Sequence, residues 1–148
     1  MKKFNNVDVA NTYIENKGYN VISHEENFET YTLTKETMTE EKYLLQWSVQ
    51  EENPIDYLGE TVYVEKFIVN NHPLDSWESG RIQSLGKTEL YVFIINNHVI
   101  GGISTPILEV DNVLTPVWSL DGKTINEIHS INFNEWKNNL IMKLEETN

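Results

Sequence analysis

His72 and Asp75, followed by Trp77 and Arg81, and then His98 beyond the next apolar run, are the residues whose types could do chemistry. An imidazole near a carboxylate can ligate a metal or share a proton. Their spacing matches no helix-borne metal motif, and four scattered histidines in an acidic chain read more simply as surface or capping residues. Trp77 and Arg81 are of the types that dominate interface hot spots. The plainer reading makes Trp77 a lid folded onto the core, because a long loop needs an anchor. The candidate binding residues are therefore His72, Asp75, Trp77, Arg81 and His98, with no catalytic residue, metal ligand or cofactor assigned.

Other chemistries fit poorly. No Gly-x-Ser-x-Gly elbow exists, and Ser104 after Gly101-Gly102 has the wrong spacing for a hydrolase nucleophile. Gly101-Gly102 also lacks the lysine and following helix of a phosphate cradle. No Asp-x-Asp-x-Asp-Gly calcium loop is present. Glu25-Glu26, Glu40-Glu41 and Glu51-Glu52 are adjacent pairs, whose members point to opposite faces of a strand and do not converge. With no cysteine, there is no disulfide framework, zinc–thiolate site or thiol nucleophile.

The elements that must position these residues centre on Tyr57–Thr105. Glu60–Asn70 reads as a strand with apolar residues on both faces: Tyr63, Phe67 and Val69 on one, Val62, Val64 and Ile68 on the other. That pattern predicts a central strand covered on both sides. Pro73 ends it, and His72–Lys87 follows as a long loop. Thr88–Ser104 reads as a hairpin about a type I′ turn at Asn96-Asn97, since Asn tolerates positive φ. This register sets Ile95 opposite His98, Phe93 opposite Ile100 and Tyr91 opposite Gly102. Gly101-Gly102 predicts a bulge or close backbone approach, with a ring such as Tyr91 over the bare backbone.

Around this centre, Val7–Lys17 reads as a helix capped by Asn5 or Asn6 and closed by Gly18. Tyr19–Ser23 and Phe28–Leu33 read as a hairpin looped at His24–Asn27. A short helix or turn is expected over Thr34–Glu41, and a strand over Tyr43–Val49. Gln50–Gly59 is a connection. Pro106–Leu120, broken by two prolines, predicts short strands before an Asp121-Gly122 turn. Asn132 and Glu135 have capping-box spacing, and Phe133, Trp136, Leu140, Ile141 and Leu144 form the stripe of a last helix from Phe133 to about Glu145. The expected fold is one α+β domain over residues 1–148: an antiparallel sheet of about five to seven strands packed against N- and C-terminal helices.

The formal net charge of −12 over 148 residues is concentrated between His24 and Glu60. Such a surface repels nucleic-acid phosphates and anionic membranes, and it suits a domain kept apart by its own charge or a basic partner. No transmembrane segment is expected. Met1-Lys2-Lys3 looks like an export-signal start, but Asn5, Asn6 and Asp8 stand where an apolar stretch belongs. The chain therefore reads as cytosolic, or as an exported domain freed of its leader.

Gly18-Tyr19-x-Val21, Tyr57-x-Gly59-x-x-Val62, Phe67-x-Val69-x-Asn71-x-Pro73 and Val99-Ile100-Gly101-Gly102-x-Ser104 carry a resemblance. So do His72-Pro73-Leu74-Asp75 and Ser119-Leu120-Asp121-Gly122-Lys123-Thr124. Together these resemble small domains of unknown function from Bacillus-type Gram-positive bacteria, often made with secretory or lipoprotein leaders. The resemblance covers most of the chain in patches and implies an extracytoplasmic location. It carries over no catalytic residue. The expected function is a non-catalytic binding or accessory module for a protein or small ligand, present as a monomer or weak homodimer, with the cell envelope as its implied setting. The alternative is a small metal-dependent binder or hydrolase centred on residues 72–87. A third reading is self-association through an exposed strand edge.

Overall fold

The computed structural model describes residues 5–147; Met1-Lys2-Lys3, weighed above as a signal start, lies outside the described residues. Helix α1 is Asn6–Asn16. The Asn5 side chain accepts from the Val7 N–H at 2.8 Å and so caps it. Gly18, at φ 88°, supplies the left-handed turn that releases the chain into β1, Asn20–Thr32. A 3-10 turn at Thr37–Thr39 leads to α2, Glu41–Ser48, and another at Pro54–Tyr57 leads to β2, Thr61–Asn70. A third, Pro73–Ser76, precedes β3 (Glu78–Ser79) and β4 (Ile82–Ile95). Then come β5 (His98–Leu108), β6 (Trp118–Ser119), α3 (Ile125–His129) and α4 (Phe133–Glu146).

The fold is α+β. Six antiparallel strands form one sheet in the order β1-β2-β4-β5-β6, with β3 paired to the start of β4. β2 lies between two neighbours, and its two faces serve two cores, as its doubly apolar sequence predicts. Val62 and Val64 join Phe93, Ile95, Trp47, Leu140 and Leu144 beneath α2 and α4. Phe67 and Val69 join Leu90, Val92, Ile94, Ala10 and Ile14 beneath α1.

Several expectations need correction. Tyr19–Leu33 is not a hairpin but the single strand β1, which pairs with β2 along its length. The polar run His24–Asn27 belongs to a bulge within it, where Asn27 adopts a positive φ of 50°. Tyr43–Val49 is not a strand. Leu44, Trp47 and Ser48 are buried at the i, i+3, i+4 spacing of a helix face, so the Leu45, Trp47, Val49 alternation coincides with helical burial. His72–Lys87 is not a loop but a 3-10 turn, β3 and the start of β4. In the β4–β5 hairpin, Asn96 and Asn97 take positive φ values of 49° and 66°. Ile95 pairs with His98 as expected. A register shift between Phe93 and Ile94 then sets Phe93 opposite Gly101 and Tyr91 opposite Ile103. β5 also runs through Pro106 to Leu108, and only β6 matches the short strands expected beyond it.

The glycine bulge is held by a side chain rather than covered by a ring. Gln50 Nε2 donates to Gly102 O at 2.7 Å, and Gly102 N donates to Gln50 Oε1 at 3.0 Å. This two-point grip ties the end of α2 to β5. A Cβ on Gly101 would collide with Gln50 Oε1, and one on Gly102 with the Tyr91 carbonyl.

Candidate functional site

His72 and Asp75 meet, but through backbone. The His72 N–H donates to Asp75 Oδ2 at 3.0 Å, and Thr88 Oγ1 donates to Asp75 Oδ1 at 2.8 Å. The His72 ring is buried against Tyr19, with centroids 4.7 Å apart. Its Nδ1 accepts from the Leu74 N–H at 3.0 Å, and Nε2 lies 2.8 Å from Leu120 O. Only the neutral Nε2–H tautomer satisfies both. Burial lowers its pKa below the ordinary histidine value, against the opposing pull of the Leu120 carbonyl and of Asp75 and Asp121. The one ligating lone pair of this tautomer, at Nδ1, is taken by the Leu74 N–H, and Nε2 carries the proton.

Of the remaining predicted residues, Trp77 caps the end of the same 3-10 turn, where its N–H donates to Leu74 O. Trp77 is half-buried and meets Trp118 edge-on at 5.8 Å. Arg81 is exposed at the β3–β4 turn. His98 is exposed beside Ile95, at the far end of β4 from Thr88, where Asp75 is bonded. That stretch of strand spans roughly 23 Å. Ser104 Oγ donates to Ser119 O at 2.6 Å, so its hydroxyl is engaged by backbone. Among the described residues, no three His, Asp or Glu side chains gather closely enough to hold a metal ion. Among those residues too, no helix is long and apolar enough to cross a membrane.

A different set of residues converges on the α2 side of the sheet. Helices α2 and α4 cover the end holding Val62, Val64, Phe93 and Ile95. Beyond α2 the same face opens into a cleft of about 310 Å³ whose walls include Phe28, Glu29, Lys42, Gln46, Tyr91 and Ile103. Phe28 is 43 % exposed and sets its ring edge-on to Tyr91, with centroids 5.1 Å apart. Lys66 Nζ lies 5.5 Å from the Phe28 centroid and 5.6 Å from that of Tyr91. The same ammonium stands 3.9 Å from Glu25 Oε2 and 4.0 Å from Glu89 Oε2. Tyr91 Oη donates to Glu89 at 2.7 Å. Burial together with that carboxylate raises the Tyr91 pKa, which keeps the phenol protonated. At the α2 wall, Tyr43 Oη and Lys42 Nζ both donate to Glu29 Oε2, at 2.6 and 3.2 Å.

No family model, curated protein or solved structure matches this chain.

The shape of the cleft depends on the bulge in β1. Glu25 pairs with Lys66 and Glu29 with Val64, so residues 26–28 stand opposite Glu65 alone. The Asn27 N–H donates to Glu65 Oε2 at 2.8 Å, anchoring the extra backbone from the opposite face of the sheet. The slack brings Phe28 over Lys66 and Tyr91. Glu65 is buried, and burial raises its carboxyl pKa against the lowering effect of the Asn27 bond and of His24. Sequence reasoning missed this group. Its signals were a lone Glu in an otherwise apolar central strand and an Asn within a polar run opposite it.

Proposed function

We propose that this chain is a non-catalytic binding module that engages a protein partner through the open half of the sheet, with Phe28 and Tyr91 as its aromatic anchors. The observation that carries this reading is Phe28, which is exposed yet held in a fixed place by the bulge and Glu65. An exposed ring costs solvation unless something covers it, and aromatic residues are enriched in interfaces. The anchors sit within a rim of Glu25, Glu29, Lys42 and Glu89 that would fix a partner's orientation by charge. The metal-dependent alternative gains less support, because both ring nitrogens of His72 are engaged and His98 stands at the other end of β4.

Self-association by strand pairing has little support as well. One edge of the sheet is β1, whose bulges and carboxylates Glu25, Glu26 and Glu29 disfavour a second strand, and the other is β6, only two residues long. The resemblance to leader-bearing domains of Bacillus-type bacteria would make the partner an envelope component. The test places a photo-reactive phenylalanine analogue at position 28 and, as a control, at exposed Tyr63 on the opposite face. Cross-linking in source cells should give a discrete adduct from position 28 alone. In the unlabelled chain, Phe28→Ala should then abolish binding of that partner while leaving the melting temperature within a few degrees. Adducts from both positions, or binding that survives Phe28→Ala, would exclude this face as the contact surface.

A further inference from the structure

A second cleft, on the opposite side of α2 from Phe28, has a different chemistry. It holds about 390 Å³ and lies between the Thr37–Thr39 turn, α2 and α4. Its floor is Met38, Leu44 and Leu144, all buried, and Ile141, 37 % exposed, forms part of its wall. Three charged residues stand at its rim: Lys137, Lys35 and Glu145. Lys137, Ile141, Leu144 and Glu145 lie along one stripe of α4. At the rise of an α-helix, that sets Lys137 and Glu145 roughly 12 Å apart at opposite ends. Lys35 is at the Glu145 end, where its ammonium donates to the Thr147 carbonyl. Lys137 has no ion-pair partner among the described residues. In a chain of net charge −12, an apolar trough bounded by two lysines and one glutamate is a local reversal of sign.

We propose that this cleft binds an anionic aliphatic amphiphile, its tail over Met38, Leu44, Ile141 and Leu144 and its acidic head at Lys137. The volume lies within the range of small-ligand pockets, and the lining is apolar with few polar groups, as such sites require. The charge arrangement selects among amphiphiles: an anionic head at Lys137 is attracted, whereas a cationic head meets the unpaired ammonium at that end and, turned round, meets Lys35 beside Glu145 at the other.

The test is calorimetric titration of the full chain with hexanoate, octanoate and decanoate below their micelle concentrations, alongside decyltrimethylammonium. Methyl NMR locates the site. Affinity for the carboxylates should rise up to about fourfold for each methylene that enters the cleft. The methyl signals of Met38, Leu44, Ile141 and Leu144 should shift. Lys137→Glu should weaken decanoate by up to about fivefold, in the range of surface charge pairs. Ile141→Asp, at a partly exposed position, should abolish binding in a protein that still melts normally. Three results would overturn the proposal. One is decyltrimethylammonium binding as tightly as decanoate. Another is decanoate binding that leaves those methyl signals in place. The third is methyl shifts that follow protein concentration rather than ligand, which would make the occupant a second copy of the chain.

Discussion

Replacing His72 with phenylalanine separates the structural role of this side chain from the binding role its position in the sequence suggests. The substitution keeps an aromatic ring against Tyr19 but removes the acceptor for the Leu74 N–H and the donor to Leu120 O. A buried backbone group left without a partner costs about 1–3 kcal/mol, so two of them give about 2–6 kcal/mol. For a domain of this size each kcal/mol lowers the melting temperature by about 2–4 °C, so a mid-range loss of about 4 kcal/mol becomes about 8–16 °C. The pH dependence supplies a second arm. The folded pKa of His72 lies below its ordinary value of 6.5 because burial penalises the imidazolium. Between those two values the unfolded chain takes up a proton that the folded chain refuses, so wild-type stability from this group falls as pH drops below 6.5. The variant has no such group. Urea denaturation at about pH 7.5 and about pH 5, on either side of the onset of that loss, should therefore show a large difference between the two proteins at the higher pH that narrows at the lower. A loss below about 1 kcal/mol at the higher pH, the bottom of the range for one unpaired group, would refute the assigned hydrogen bonds. A difference that does not change with pH would refute the burial of a neutral imidazole at this position.

Glu65 should behave with the opposite sign. Its folded pKa is raised, so stability from this group falls as pH rises above the ordinary carboxyl value of 4.5. Glu65→Gln keeps an acceptor for the Asn27 N–H and should gain stability relative to wild type as pH rises from 4.5 towards neutrality, read by thermal melts across that range. Gly102→Ala drives a methyl into the Tyr91 carbonyl, with Gln50 losing its grip on β5. It should cost about 1–3 kcal/mol or more by urea denaturation. Asn132→Ala removes the side chain that accepts from Glu135 N at 2.9 Å. It should cost about 1 kcal/mol by chemical denaturation, without altering binding at Phe28.

The sequence reads well where one local rule acts alone. Asn5 and Gly18 bound α1, Asn132 and Glu135 open α4, and the two asparagines at 96–97 turn the hairpin, each through its own capping or φ preference. It reads badly where a residue satisfies two patterns or takes its meaning from a distant partner. Trp47 fits both a strand alternation and a helix face, and the packing beneath α2 decides between them. Thr124 and Glu127 form the capping box of α3, a helix too short to show an apolar stripe. The polar run at 24–27 looks like a loop because its anchor, Glu65, lies 38 residues from Asn27 in the chain. His72 and Asp75 look reactive because their backbone partners cannot be read from side-chain types. The open sheet cleft was hidden for the same reason: Phe28, Lys66 and Tyr91 come from three strands, and that bulge in β1 sets where Phe28 falls against the other two.

The two cores share strands β2 and β4, but only one of them rests on α1. Helix α1 contributes just two fully buried side chains, Ala10 and Ile14. Amide protons of β2 and β4 should therefore exchange with solvent only when the whole molecule opens, while those of α1 should exchange through a smaller local opening. The molecule is layered in opening free energy as well as in space. Its helical lid over one face should lift without loosening the α2 and α4 side, where both clefts lie.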